Sequence, residues 1–200
     1  MNAEAEAGMA RTHRLFFAVR PDTTAAARAT TQRQRIQDAY ALRGGAVATE
    51  RLHVTLHWLG DHAGELPTES IGAALAAGAR IETGPFGVVF DRLVSLGRET
   101  RPGPVVLTGG TGLKALRAFQ RALGAELTAL GLGRWVRTAF RPHLTLFYPR
   151  PARYVTAEAI DGVAWEVDEL LFIDSHVNEG EHEVLGRWPL SPRQARFAGW

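Results

Sequence analysis

The sequence predicts an α+β fold in two lobes, and three observations carry that prediction. Strand-like and helix-like stretches alternate along the 200 residues without a solenoid period. The connections between strands are long enough for mixed as well as antiparallel sheets. A short signature, HxTL, occurs once in each half, as HVTL at 53–56 and HLTL at 143–146. The halves therefore read as an internal pseudo-repeat within one bilobal domain at 12–200, preceded by a tail at 1–11.

The tail, beginning MNAEAEAGMA, has neither a basic run nor an apolar one, and reads as disordered rather than as a secretory leader. Residues 14–19 (RLFFAV) are apolar and stop at Arg20-Pro21-Asp22, which predicts a buried strand. Asp22 is placed to cap a helix over about 23–40 that stops near Gly44-Gly45. Residues 52–59 read as a strand ending at Gly60-Asp61, and 68–81 as a small-residue helix anchored by Ile71, Leu75 and Ile81. Residues 86–96 give another strand, 101–104 (RPGP) a turn and 105–107 a short strand. The strongest helix covers about 112–130, where Leu113, Leu116, Phe119, Leu123, Leu127 and Leu130 keep helical spacing. Thr111 is its candidate cap and Gly131 its terminator. A strand is expected at 142–148, and two more at 165–174 and 183–190 around an Asn178-Glu-Gly180 turn.

Composition excludes some chemistry and permits the rest. The absence of cysteine removes disulfides, thiol catalysis and sulfur-ligated zinc, and fits a cytoplasmic location. No stretch approaches the roughly 20 apolar residues of a membrane span. Of the 23 basic residues only Lys114 is a lysine. Compositional bias accounts for that, although guanidinium also suits phosphate better than ammonium does. A net charge of +2 allows an anionic substrate without selecting one. With no sustained apolar stripe, a monomer is expected.

The repeated signature carries the chemistry. In a strand, alternate side chains share a face, so His53 and Thr55 point one way while Val54 and Leu56 point to the core. His143 and Thr145 do the same opposite Leu144 and Leu146. Each copy offers an imidazole and a hydroxyl about 6–7 Å apart. Opening a cyclic phosphodiester needs a base for the attacking water and an acid for the departing ribose oxygen. Histidine, with a value near 6.5, serves in either role around neutrality. Hydroxyls and backbone N–H groups can hold the phosphate oxygens as charge builds. No metal or other cofactor is required.

Other motifs are weaker. His53 and His57 have the spacing of a zinc pair, but strand alternation and the lack of an intervening Glu argue against it. His57 is expected further along the groove face as a bystander. His13, His62, His176 and His182 lack a repeating partner and are expected at the surface. The GGTG run at 109–112 precedes a helix but lacks the Gly-Lys-Ser/Thr of a phosphate loop, so it reads as a turn.

The motifs and their flanks resemble the bacterial and archaeal RNA 2′,3′-cyclic phosphodiesterases, once called 2′-5′ RNA ligases, within the 2H phosphoesterase superfamily. Residues 14–19 followed by Pro21 are similar to that family's opening strand. LHVTLHWLG at 52–60 and FRPHLTL at 140–146 are similar to its two histidine motifs. The segments 170–175 and 180–190 sit where its closing strands lie. The resemblance implies mixed or antiparallel sheets lining a central groove, with helices outside. It implies metal-free hydrolysis of a terminal 2′,3′-cyclic phosphate to a 2′-phosphate. It further implies His53 as proton donor and His143 as proton acceptor, with Thr55 and Thr145 on the phosphate. Where the family often has an arginine beyond its second motif this chain has Tyr148, with Arg150 two positions later. Tyr148 is expected on the face of His143 and Thr145, and Arg141 is the candidate replacement charge.

The expected substrates are RNA ends or small cyclic nucleotides, with Trp58 and Tyr148 as candidate stacking aromatics and Phe17 assigned to the core. Two other readings stand beside hydrolysis: a non-catalytic RNA- or nucleotide-binding module, and ATP-independent joining of 2′-5′ RNA ends at the same site.

Overall fold

The computed structural model describes residues 11–177 and 179–191. The expected tail, apart from Arg11, and Asn178 of the expected turn lie outside them. In chain order the elements are β1 (Thr12–Val19), α1 (Thr23–Ala39), β2 (Arg43–Ala46), β3 (Val54–Ala63) and α2 (Thr68–Ala79). There follow β4 (Phe86–Arg98), β5 (Arg101–Thr108), α3 (Lys114–Ala129), β6 (Leu144–Arg150), β7 (Glu158–Val167), β8 (Glu169–His176) and β9 (Glu181–Pro189).

The strands form two sheets, of order β3-β1-β8-β9 and β2-β6-β5-β4-β7, in which every pairing is antiparallel. The fold is α+β, as the sequence predicts. The lobes, however, do not coincide with the halves of the chain. β8 and β9, from the end of the chain, complete the sheet begun by β1, while β2 crosses over to edge the other sheet. Periodicity reports what each segment buries and not which sheet it joins, so this exchange is invisible in the sequence.

α1 packs on β6 and β7, α2 on β8 and β9, and α3 on β3 and β4, so α3 touches both sheets. A single main core results, containing Phe17, Val54 and Phe172 from one sheet and Phe90, Leu107 and Leu146 from the other. α3 turns Leu116, Phe119, Leu123 and Leu127 inward, as its spacing predicts. α1 starts as expected, with the Asp22 carboxylate accepting from the Ala25 N–H at 2.7 Å. Thr111 does not cap α3; it begins a short 3₁₀ turn, Thr111–Leu113, that leads into the helix. No helix among the described residues is long and apolar enough to cross a membrane.

Three expectations are corrected. Residues 101–104 extend β5, and the turn comes one step earlier at Glu99-Thr100, where Gly97 (φ +89°) at an irregularity lets β4 meet Pro102. The strand expected at 165–174 breaks at Asp168, because its two parts enter different sheets. The glycine pair read only as a helix stop belongs to β2, where Gly44 (φ +147°) lies so close to the Tyr148 carbonyl that a Cβ would overlap it.

Phe17 is fully buried and stacks on Phe172 with ring centroids 4.8 Å apart. Phe17→Ala should cost about 3–5 kcal/mol, read as a lowered urea midpoint with an unchanged denaturant slope.

Candidate active site

The two signature strands each contain the same interruption. Opposite β1, Thr55 pairs with Ala18 but His57 pairs with the adjacent Phe17, so Leu56 is an extra residue forming a β-bulge. Opposite β5, Thr145 pairs with Val106 and Phe147 with Val105, which makes Leu146 the extra residue. A bulge shifts the pleat by one. Beyond it His57 and Phe147 turn inward, and Trp58 and Tyr148 emerge beside the histidine and threonine of their own strands.

This corrects the placement of His57, which strict alternation puts on the groove face. Its ring is buried against α3 and donates Nε2–H to the Gln120 carbonyl at 2.8 Å. Tyr148 does reach the face of His143 and Thr145, and the bulge is the reason it does: plain alternation would turn it away.

His53, Thr55, His143 and Thr145 all line one cleft of about 280 Å³. The histidines are held in the same way. His53 Nδ1 lies 2.7 Å from the Arg51 carbonyl and His143 Nδ1 lies 2.8 Å from the Arg141 carbonyl. A carbonyl only accepts, so both Nδ1 atoms carry hydrogen and each Nε2 is left for proton exchange. The Thr108 hydroxyl donates to the Pro142 carbonyl at 2.9 Å and fixes the chain just before His143.

Burial, reinforced by the positive charges of Arg20, Arg51 and His143, pushes His53 down to about 4; the bond to the Arg51 carbonyl opposes the shift. Its ring stacks on Phe16, with centroids 4.9 Å apart and planes at 23°. His182 meets the same ring edge-on at 5.3 Å. Arg20 and Arg51 each place a guanidinium nitrogen 3.5 Å from one of the His182 ring nitrogens. Burial first, then His53 and these arginines, push His182 down to about 3.

The side chain of Arg141 is exposed and does not line the cleft; only its carbonyl serves the site. Arg14 and Arg51 line it instead. Arg14 is committed to Asp61 through two bonds of 2.8 and 2.7 Å, whereas Arg51 has no carboxylate partner among the described residues. Arg51 was legible: the repeat extends back two residues, as RLHVTL and RPHLTL. His182 and Ser175, also in the lining, had no comparable signal. They are adjacent because β8 and β9 pair there, and His182 is thus a correction to its expected surface position. His176, likewise expected at the surface, is buried, and His13 and His62 are partly buried.

The family model described as the 2′-5′ RNA ligase superfamily matches residues 21–179. The chain belongs to this superfamily. Among solved structures, the TT0787 protein of Thermus thermophilus is similar with a TM-score of 0.72 and 23% identity, covering 90% of this chain and 100% of that one. E. coli LigT complexed with phosphate is similar at 0.69 and 24%, and LigT complexed with 3′-AMP at 0.68 and 22%. Each covers 90% of this chain and 99% of LigT. No curated protein matches the chain in sequence. The fold likeness and the superfamily match agree with the resemblance drawn from the two motifs.

The depressed histidines tie stability to pH. From about 6.5 down to about 4, the unfolded chain binds protons that folded His53 and His182 refuse. Stability therefore rises with pH through that window and is lost as pH falls through it. Thermal midpoints should drop on acidification, and His182→Phe should make that drop shallower.

Proposed function

We propose that this protein hydrolyses the 2′,3′-cyclic phosphate at RNA ends to a 2′-phosphate, with His53 and His143 as its acid–base pair. The carrying observation is the matched pair of rings, each anchored through Nδ1 and each lining one cleft with its threonine. In the first assignment, neutral His143 takes the proton of a water that attacks phosphorus. The bond to O3′ breaks, and His53 delivers its Nε2 proton to that oxygen. Thr55, Thr145 and Arg51 hold the non-bridging oxygens, where charge accumulates.

Burial holds His53 down to about 4, so its role as the acid calls for a partner that favours the protonated ring. A phosphate beside Arg51 introduces negative charge next to the ring and favours its protonated form. The same depression favours a second reading, in which neutral His53 is the base and His143 the acid. A phosphodiester with a 4-nitrophenolate leaving group separates them, since such a group departs without a proton. The variant lacking the acid keeps its activity on this substrate, and the variant lacking the base does not.

Trp58 and Tyr148 support a nucleotide substrate. They occupy equivalent positions in the two repeats and are 42% and 55% exposed. Trp58 is fixed by its indole N–H, which donates to Asp61 at 3.1 Å, while the more exposed Tyr148 ring is available to stack on a base. That a fold neighbour, E. coli LigT, has been crystallised with phosphate and with 3′-AMP agrees with this reading.

On RNA ending in a cyclic phosphate, His53→Ala or His143→Ala should lower kcat by about 10²–10⁴-fold with the thermal midpoint retained. Full turnover in both variants removes the assignment. Activity should persist in EDTA. Tyr148→Ala should raise KM on nucleoside cyclic phosphates while changing kcat by no more than a few-fold. Adding RNA with a 5′-hydroxyl to the same assay tests joining, in which that hydroxyl replaces water as the nucleophile on phosphorus and the bond to O3′ breaks as before.

A further inference from the structure

On the face of the first sheet turned away from the cleft, three neighbouring strands bring imidazoles and carboxylates together. His13 of β1, His176 of β8 and Glu181 of β9 form one cross-strand row. Asp174 and Glu183 face each other in the next row. His13 Nδ1 lies 2.5 Å from Asp174 Oδ2, and His176 Nε2 lies 3.4 Å from the same oxygen and 3.7 Å from Glu183 Oε2. The two rings stand edge to face, 5.4 Å apart.

These groups are poorly satisfied as they stand. The Asp174 side chain is 0% exposed and that of His176 is 8%. Asp174 Oδ1 and both His176 ring nitrogens are buried without a hydrogen-bond partner. Buried polar atoms of this kind cost stability unless something binds them.

We propose that His13, Asp174, His176 and Glu183 form a site for a divalent late transition metal of the zinc class. Two imidazoles and two carboxylates are a borderline donor set suited to that class. With metal–ligand bonds of about 2.0–2.1 Å, the edge of a tetrahedron is about 3.3 Å. The separation from His176 Nε2 to Asp174 is already close to that edge, and the ligand atoms of His13, Asp174 and His176 all lie within 4.8 Å of one another. Glu183 reaches 3.7 Å from His176 but lies outside that trio, so its exposed carboxylate must swing in as the fourth ligand. His13 and Asp174 must part by roughly 0.8 Å as they give up their shared proton. Glu181 and Glu179 stand 3.6 and 3.9 Å from His176 Nδ1, placed to accept the N–H that a metal-bound histidine donates outward. The site would clip the start of β1 to the β8–β9 end of the sheet. It does not depend on the proposed cleft chemistry.

The test uses tag-free full-length protein, stripped with EDTA and titrated with zinc chloride against a chromophoric chelator, and separately with cobalt chloride. A single zinc per chain with micromolar or tighter affinity is expected, together with the visible absorption of tetrahedral cobalt and a raised thermal midpoint. His13→Ala should weaken zinc by more than about 100-fold, and the outer-shell Glu181→Gln by about 10–100-fold. Glu183→Gln, at an exposed position, provides a second ligand variant should a buried substitution fail to fold. No zinc binding by the wild type overturns the proposal. So does binding that survives His13→Ala and Glu183→Gln but vanishes in the His53→Ala/His143→Ala double variant, since that metal sits in the cleft.

Discussion

The site depends on where the chain puts two protons. In each repeat the carbonyl two residues before the histidine takes the Nδ1 hydrogen, which fixes the tautomer and sets the ring angle together. A single misplaced carbonyl would let the ring rotate or exchange its proton to the wrong nitrogen. Much of the surrounding structure can be understood as holding those two peptide groups still. On one side a short 3₁₀ turn, Thr49–Arg51, precedes His53; on the other, the Thr108 hydroxyl grips Pro142. The anchors are backbone atoms, so they tolerate a change of side chain at Arg51 or Arg141. Their two side chains have in fact taken different places, one in the cleft and one in solvent.

The paired bulges solve a second problem. In each repeat a histidine, the threonine two residues on and the aromatic ring five residues on share one face, and a regular strand cannot supply that spacing. Its alternation would send either the aromatic or the histidine into the core. Adding Leu56 or Leu146 as an unpaired residue lets the strand bury two consecutive side chains and then resume with its polar face shifted by one. The extra residue costs ladder hydrogen bonds, which the burial of two large apolar or aromatic side chains offsets.

The sequence carries the residues of the cleft more clearly than their geometry. The α+β class, the principal helices, the signature strands and the four residues His53, Thr55, His143 and Thr145 were legible, because strand alternation and repetition are local properties. His57 was placed wrongly because a bulge leaves no compositional mark when the extra residue is itself a leucine. β2 was missed because a strand held by Gly44 and Gly45 has no apolar pattern to read. His182 reaches His53 from the far end of the chain, through the pairing of β8 with β9 and β1, and no spacing rule connects them. Arg51 differs from these. It stands two residues before its histidine, in the same place as Arg141, so the repeat itself marks both positions, but nothing in the repeat says which of the two side chains enters the cleft.

The cleft's electrostatics make sense only with an anion inside. Arg20, Arg51, His53 and His182 crowd together, and burial, reinforced by their mutual repulsion, drives both imidazoles neutral. A neutral His182 still carries one N–H, yet it faces a guanidinium nitrogen at each ring nitrogen, so one of those contacts sets donor against donor. That arrangement is costly, and an anion such as phosphate would relieve it by accepting from the guanidiniums and compensating the charge of a protonated ring. Anion binding and protonation are then one coupled event. An anion in the cleft would favour protonation of both imidazoles and would in turn bind more tightly as they take up protons, because the two equilibria are linked.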